Sequence, residues 1–88
     1  MIEADLEVKN KDGLHIRAAA LFVQIASKYK SNVTVIKDGN TANGRSILEL
    51  LTLFAEQGSV LHIIVDGEDE KQLLDEIKEL IEGNFEEG

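Results

Sequence analysis

The sequence predicts one α+β domain in which helices cover one face of a small sheet, in the order β-α-β-β-α-β-α. Three observations carry this. Strand-like stretches either alternate apolar and polar residues or run in β-branched side chains. Each helix-like stretch has one apolar stripe, which must be buried against another layer. Asp38-Gly39 supplies the positive φ angles of a two-residue hairpin turn, so the stretches on either side of it pair antiparallel. Eighty-eight residues make one domain (1–88), which buries roughly 60–65% of the surface exposed by the unfolded chain. With no Cys, no Trp, one Tyr and three Phe, the core must be aliphatic and unsupported by disulfides.

The elements follow in order. Ala4 to Val8 alternates apolar and charged, as a half-buried strand does. Lys9 to Gly13 is a polar turn. From Ile16 to Tyr29 the period is helical: Leu21, Phe22, Ile25 and Tyr29 form a stripe with Ala18 and Ala26 beside it, and four alanines favour the helix. Val33 to Lys37 is a β-branched strand, and Asn40-Thr41-Ala42 is its short hairpin partner. Asn43-Gly44 turns the chain again. A second helix is expected from Ile47 to about Phe54, with Leu50, Leu53 and Phe54 inward. Val60 to Val65 is the strongest strand. Residues 69–82 form an amphipathic helix with Leu73, Leu74, Ile77, Leu80 and Ile81 inward. Residues 83–88 are acidic and expected to fray.

Charge narrows the function classes. Residues 1–65 carry seven acids and seven bases; residues 66–88 carry ten acids against Lys71 and Lys78, which accounts for the net charge of −8. Non-specific nucleic-acid binding needs Lys and Arg to neutralise phosphates, so this balance argues against it. An RNA-recognition fold shares the β-α-β-β-α-β order, but Val60 to Val65 offers no aromatic platform. An acyl carrier would be all-helical. No apolar run reaches the ~18–20 residues of a membrane span, and the N-terminus is not a signal peptide, so a cytoplasmic location without membrane insertion is expected.

Few residues can carry chemistry. The two histidines lie far apart with no ligand at helical spacing, and no phosphate-loop or dinucleotide motif occurs, so neither a metal nor a bound cofactor is expected. His62 alternates onto the more exposed face of its strand, an ordinary place for a surface histidine. His15 is placed differently. It stands between Asp12-Gly13-Leu14 and the first helix, at or near its N-cap. There the N–H groups of Ile16 and Arg17 lack intrahelical acceptors and, with the helix dipole, make an anion site. Arg17 adds a guanidinium suited to phosphate oxygens, and a neutral imidazole is a nucleophile. Spacing alone leaves open a histidine that only caps the helix. Ser46, three residues before Glu49, reads as a capping box; a phosphate there would add about two negative charges beside Arg45. Ile47, Leu48 and Leu51 project away from the expected core face as an exposed aliphatic patch, the mark of a protein-docking surface.

Gly13-Leu14-His15-x-Arg17 opening an Ala-rich helix, Asn43-Gly44-Arg45-Ser46-Ile47, Gln57-Gly58-Ser59 and Gly67-Glu68-Asp69-Glu70 together resemble the HPr family, the histidine-containing phosphocarriers of the phosphoenolpyruvate-dependent phosphotransferase system. The resemblance spans nearly the whole chain. It implies an open-faced β-sandwich of four antiparallel strands covered by three helices, working as a monomer without a cofactor. It implies that His15 takes a phosphoryl group on Nδ1 from Enzyme I and passes it to a downstream component of the Enzyme IIA type, while Arg17 steadies the phosphate. Ser46 matches the family's regulatory site, the target of an ATP-dependent HPr kinase. Ile47, Leu48 and Leu51 match its docking patch, with Arg45 and Lys28 as remaining basic docking residues. The alternative is a regulatory binding module of the same fold, controlled through Ser46. Ile16 and Ala18 depart from the family's usual Gly-Leu-His-Ala-Arg-Pro. Glu49 stands where a small residue is common, and Gln24 and Ser27 stand where basic residues often are.

Overall fold

The computed structural model describes residues 1–86. Its elements are β1 (Ile2–Glu7), α1 (Ile16–Ser27), β2 (Asn32–Lys37), β3 (Asn40–Asn43), α2 (Ile47–Leu51), β4 (Val60–Asp66) and α3 (Glu70–Glu82), followed by a 3₁₀ turn at Asn84–Glu86. The strands form one antiparallel sheet in the order β1-β4-β2-β3. The β2–β3 hairpin turns on Asp38 and Gly39 at φ 51° and 81°, as this dipeptide predicts.

Register brings the apolar positions together. Leu6 lies opposite Leu61, Val33 opposite Val65, and Val35 between Ile63 and Ala42. Side chains two apart share a face, so all of these point the same way, and all are buried. They join Ala18, Ala19, Phe22 and Ala26 of α1, Leu50 of α2, and Leu73, Leu74, Ile77, Leu80 and Ile81 of α3 in one core cluster. The other face of the sheet stays open, which makes this the open-faced sandwich that the resemblance implies. Gly44 holds α1 close to the sheet: a Cβ there would meet Val33 Cβ at 2.7 Å and the Phe22 ring at 3.0 Å.

His62 lies on the open face, as its alternation predicts. Its imidazole bridges two carboxylates of β1, with Nδ1 2.7 Å from Asp5 and Nε2 2.6 Å from Glu3. The hydrogen bonds to Asp5 first and Glu3 second raise its pKa above the ordinary 6.5. A raised folded-state pKa stabilises fully below the unfolded value, and that stability is lost as pH rises through the folded value. Denaturant midpoints taken from about pH 5.5 to about pH 9 should therefore fall on the alkaline side, and His62→Gln should flatten that decline.

Several boundaries and faces differ from expectation. The strand expected to start at Ala4 begins at Ile2. Helix α1 ends at Ser27, and its buried face is Phe22 with Ala18, Ala19 and Ala26; Leu21, Ile25 and Tyr29 of the expected stripe lie half-buried against the core. Small residues there let the helix sit close to the sheet. Helix α2 is five residues long rather than eight. The Thr52 hydroxyl takes the Glu49 carbonyl at 2.6 Å, and the N–H groups of Leu53 and Phe54 bond three residues back, tightening the last turn. Phe54 then adopts φ 50° and turns out into solvent, while Leu53 is buried. Phe54 is thus not a core residue. At the C-terminal end residues 84–86 are not frayed, because Phe85 is buried in the core cluster. Glu87 and Gly88, also expected to fray, lie outside the described residues.

Candidate functional site

The loop that presents His15 is fixed before the helix begins. Gly13 has φ 64°, and a Cβ on it would strike the Ala55 carbonyl oxygen at 2.3 Å, so only glycine fits. The Leu14 N–H donates to that carbonyl at 2.8 Å, and the buried Asn10 amide donates to the Gly13 carbonyl at 2.8 Å. The first bond ties the loop to the segment after α2, and the second braces the loop internally.

His15 is the N-cap of α1, with extended backbone (φ −80°, ψ −179°). Its Nδ1 accepts from the Arg17 N–H at 3.1 Å and the Ala18 N–H at 3.3 Å. An N-cap acceptor reaches the second and third helical amides, not the first. The donors on Nδ1 are therefore the Arg17 and Ala18 amides. Two donors require an unprotonated Nδ1, so the neutral ring carries its proton on Nε2. The Nδ1 lone pair thus faces a helix N-terminus, where negative charge is favoured. The Arg17 side chain is exposed.

Ser46 caps α2: its Oγ accepts the Glu49 N–H at 3.2 Å. The reciprocal half of the box is displaced, because the Glu49 carboxylate accepts from Asn43 N–H at 2.9 Å while Ser46 N–H bonds the Asn43 carbonyl. Arg45 is turned inward. Its guanidinium donates to the carbonyls of Tyr29 at 2.6 Å, Ser31 at 2.8 Å and Ala26 at 3.4 Å. It thereby caps the C-terminal end of α1 instead of standing free beside Ser46 as a docking charge. Lys28 pairs with Glu76 of α3 at 2.8 Å, and the Tyr29 hydroxyl donates to the same carboxylate; these contacts, Lys28 first, hold the Glu76 pKa below the usual carboxylate range. Of the apolar patch, Leu48 is exposed, Ile47 less so, and Leu51 is packed against the core.

A family profile described as the PTS HPr component phosphorylation site matches residues 2–83. The chain belongs to the HPr family. It is 44% identical over 87 residues to the phosphocarrier protein HPr of Xylella fastidiosa (strain Temecula1), covering 99% of this chain and 98% of that one. It is 40% identical over 82 residues to the HPr-like protein Crh of Halalkalibacterium halodurans, covering 93% and 98%. The crystal structure of HPr-C-His from Thermoanaerobacter tengcongensis superposes with a TM-score of 0.96 at 43% identity, covering 100% of this chain and 99% of that one.

Against the HPr motif, position 18 gains meaning. A proline there has no N–H, whereas Ala18 contributes one of the two donors on His15 Nδ1. The N-cap rule contains the signal for this donor. The Glu3–His62–Asp5 bridge was not legible, because it needs the β1–β4 register.

Proposed function

We propose that His15 carries the phosphoryl group of this phosphocarrier. It accepts the group on Nδ1 from Enzyme I and passes it to an Enzyme IIA-type component, in the cytoplasm, as a monomer, in phosphotransfer that serves sugar transport. The observation that supports this is Nδ1 facing the amides of Arg17 and Ala18. In the transfer, the Nδ1 lone pair attacks phosphorus. The bond from phosphorus to the donor atom of Enzyme I breaks, and its electron pair stays on that atom. The imidazole keeps its Nε2 proton. The two N–H groups lose Nδ1 as acceptor and meet phosphoryl oxygens in its place, with the Arg17 guanidinium adding positive charge. Passing the group on reverses these steps. An exposed cap stabilises the phosphoryl group without burying it, so it can be returned.

Incubation with phosphoenolpyruvate and Enzyme I should give an acid-labile phosphate that is lost in His15→Ala. Failure of every cognate Enzyme I to label the chain, or a label that survives His15→Ala, defeats the reading.

Ala18→Pro tests the second donor. Proline fits the first helical turn, so the fold should persist. A hydrogen bond to a charged phosphate is stronger than one to a neutral imidazole by about 1 kcal/mol. Losing it should shift the transfer equilibrium with Enzyme I toward the unphosphorylated chain by roughly fivefold. Labelled phosphate partitioning at equilibrium measures this.

Ser46 is the regulatory site in the same reading. A phosphate from ATP would place about two negative charges close to the Glu49 carboxylate, and that local repulsion would alter the docking face of α2.

A further inference from the structure

Strand β1 is an edge strand, paired only with β4. Its inward side chains hold it weakly. Of Ile2, Ala4 and Leu6 only Leu6 is buried, whereas Val65, Ile63 and Leu61 opposite them on β4 all are. Its outward side chains are Glu3, Asp5 and Glu7, three acids on the open face of the sheet. Side chains two residues apart on a strand are about 7 Å from each other, which is within the screening length of ordinary salt, so these acids repel one another.

His62 of β4 lies opposite Asp5 and bonds two of the three. Its Nδ1 is 2.7 Å from Asp5 and its Nε2 is 2.6 Å from Glu3, so the ring braces β1 at two points. Both bonds need an N–H on each ring nitrogen, which only the imidazolium has. In the neutral ring one nitrogen turns a lone pair toward a carboxylate oxygen, and that contact repels. The surroundings supply no substitute charge. Val60 and Ile64 of β4 and Thr34 and Ile36 of β2 share the face and are uncharged. Lys37 alternates to the other face and pairs with Asp38 at 3.3 Å. Asp66, at the end of β4, is a further acid, 3.5 Å from the Met1 ammonium, which lies 3.0 Å from Glu70. The bonds to Asp5 and Glu3 favour the charged ring, so the brace is complete in acid and is lost as pH rises through the folded-state pKa of His62.

We propose that His62 is a proton-operated latch on β1: the imidazolium clamps the strand to β4, and loss of its proton lets β1 lift from the sheet edge while the rest of the domain stays folded. The opening stops near Glu7. The next residue, Val8, is fully buried, its N–H donates to the Ser59 carbonyl at 2.8 Å, and its carbonyl accepts from the Gly58 N–H at 2.7 Å. The loop that presents His15 therefore stays anchored, and the latch does not depend on the chemistry assigned to that residue. Local openings of this kind expose far less surface than global unfolding and occur where few buried apolar contacts hold a segment.

Native-state hydrogen exchange on the intact chain tests this, with each amide's rate divided by its unstructured rate so that the intrinsic pH dependence cancels. Between about pH 6 and about pH 8.5 the β1 amides bonded to β4 should lose roughly fivefold in protection, the upper end for partly exposed ion contacts. Urea below the unfolding transition should leave β1 exchange nearly unchanged, while the β2 amides follow the full slope of global unfolding. His62→Gln should abolish the pH-dependent loss, because a carboxamide does not titrate. Glu3→Gln combined with Asp5→Asn should abolish it too, with the histidine still present. All of these substitutions lie on the open face, outside the core cluster, so the variants should fold. The latch is overturned if wild type shows no such loss, or if the loss persists in either variant. It is equally overturned if β1 follows urea with the same slope as β2, since the strand then leaves only when the whole domain unfolds.

Discussion

Phe85→Ala should cost about 3–5 kcal/mol of folding stability, the usual range for emptying a buried phenylalanine site. The side chain is 1% exposed and belongs to the core cluster, although it lies beyond the last regular helix. Asn84, Phe85 and Glu86 have φ of 56°, 52° and 64°. Three consecutive left-handed residues without glycine are unfavourable, by roughly 1–2 kcal/mol each if nothing compensates. The buried ring is what holds that turn in place. Without it the turn should open and expose the end of α3. For a chain of this length a loss of about 3 kcal/mol lowers the thermal midpoint by roughly 12–24 °C. Glu86→Ala, at an exposed position of the same turn, should change the midpoint by less than about 2 °C. Thermal and urea melts read both. A small effect of Phe85→Ala would mean that the turn contributes little to the core.

Arg45→Met should cost about 2–3 kcal/mol. Methionine roughly keeps the length of the stem and loses the guanidinium, leaving the carbonyls of Ala26, Tyr29 and Ser31 without that donor. A hydrogen bond from a charged donor contributes roughly 1.5–3 kcal/mol, and the three share one group, so their effects do not simply add. Arg45→Lys should recover part of the loss, since an ammonium reaches fewer carbonyls than a planar fork. The same variants separate structure from docking. If Arg45 acts through the C-terminal end of α1, Arg45→Met lowers the denaturant midpoint while the KM for Enzyme I at a temperature well below the transition is unchanged. A docking role would show the opposite pair of results.

Legibility followed the range of the cause. The strands and α3 were readable because their apolar spacing is local and each buries one face. Asp38-Gly39 was readable because the dipeptide itself demands the turn. The two phenylalanines near α2 and α3 exchange their expected places: Phe54 turns outward and Phe85 inward. Each sits in a left-handed turn built on residues other than glycine, and no local pattern announces such a turn. The inward Arg45 depends on carbonyls 14 to 19 residues away, so its neighbours in sequence suggested only local basicity. At the site, His15 and Arg17 stand out by residue type and position. The Ala18 amide is invisible to side-chain chemistry and follows only from cap geometry. Ser46 was readable as a cap because its acceptor role lies within three residues.

The strand order also constrains how the chain can reach its final form. Strand β4 is the last to leave the ribosome, yet it stands between β1 and β2 and pairs with both. Ile2 finds its partner only when Val65 has been made. Until then β1 has no neighbour in the sheet, and only the β2–β3 hairpin can pair locally. Sheet closure is therefore a late event that joins both ends of the chain at once. Such distant pairings carry a large loop-closure cost before any contact offsets it. The nascent carrier should stay open along most of its length during synthesis, and then fold in one cooperative step that assembles the loop around His15 together with the sheet.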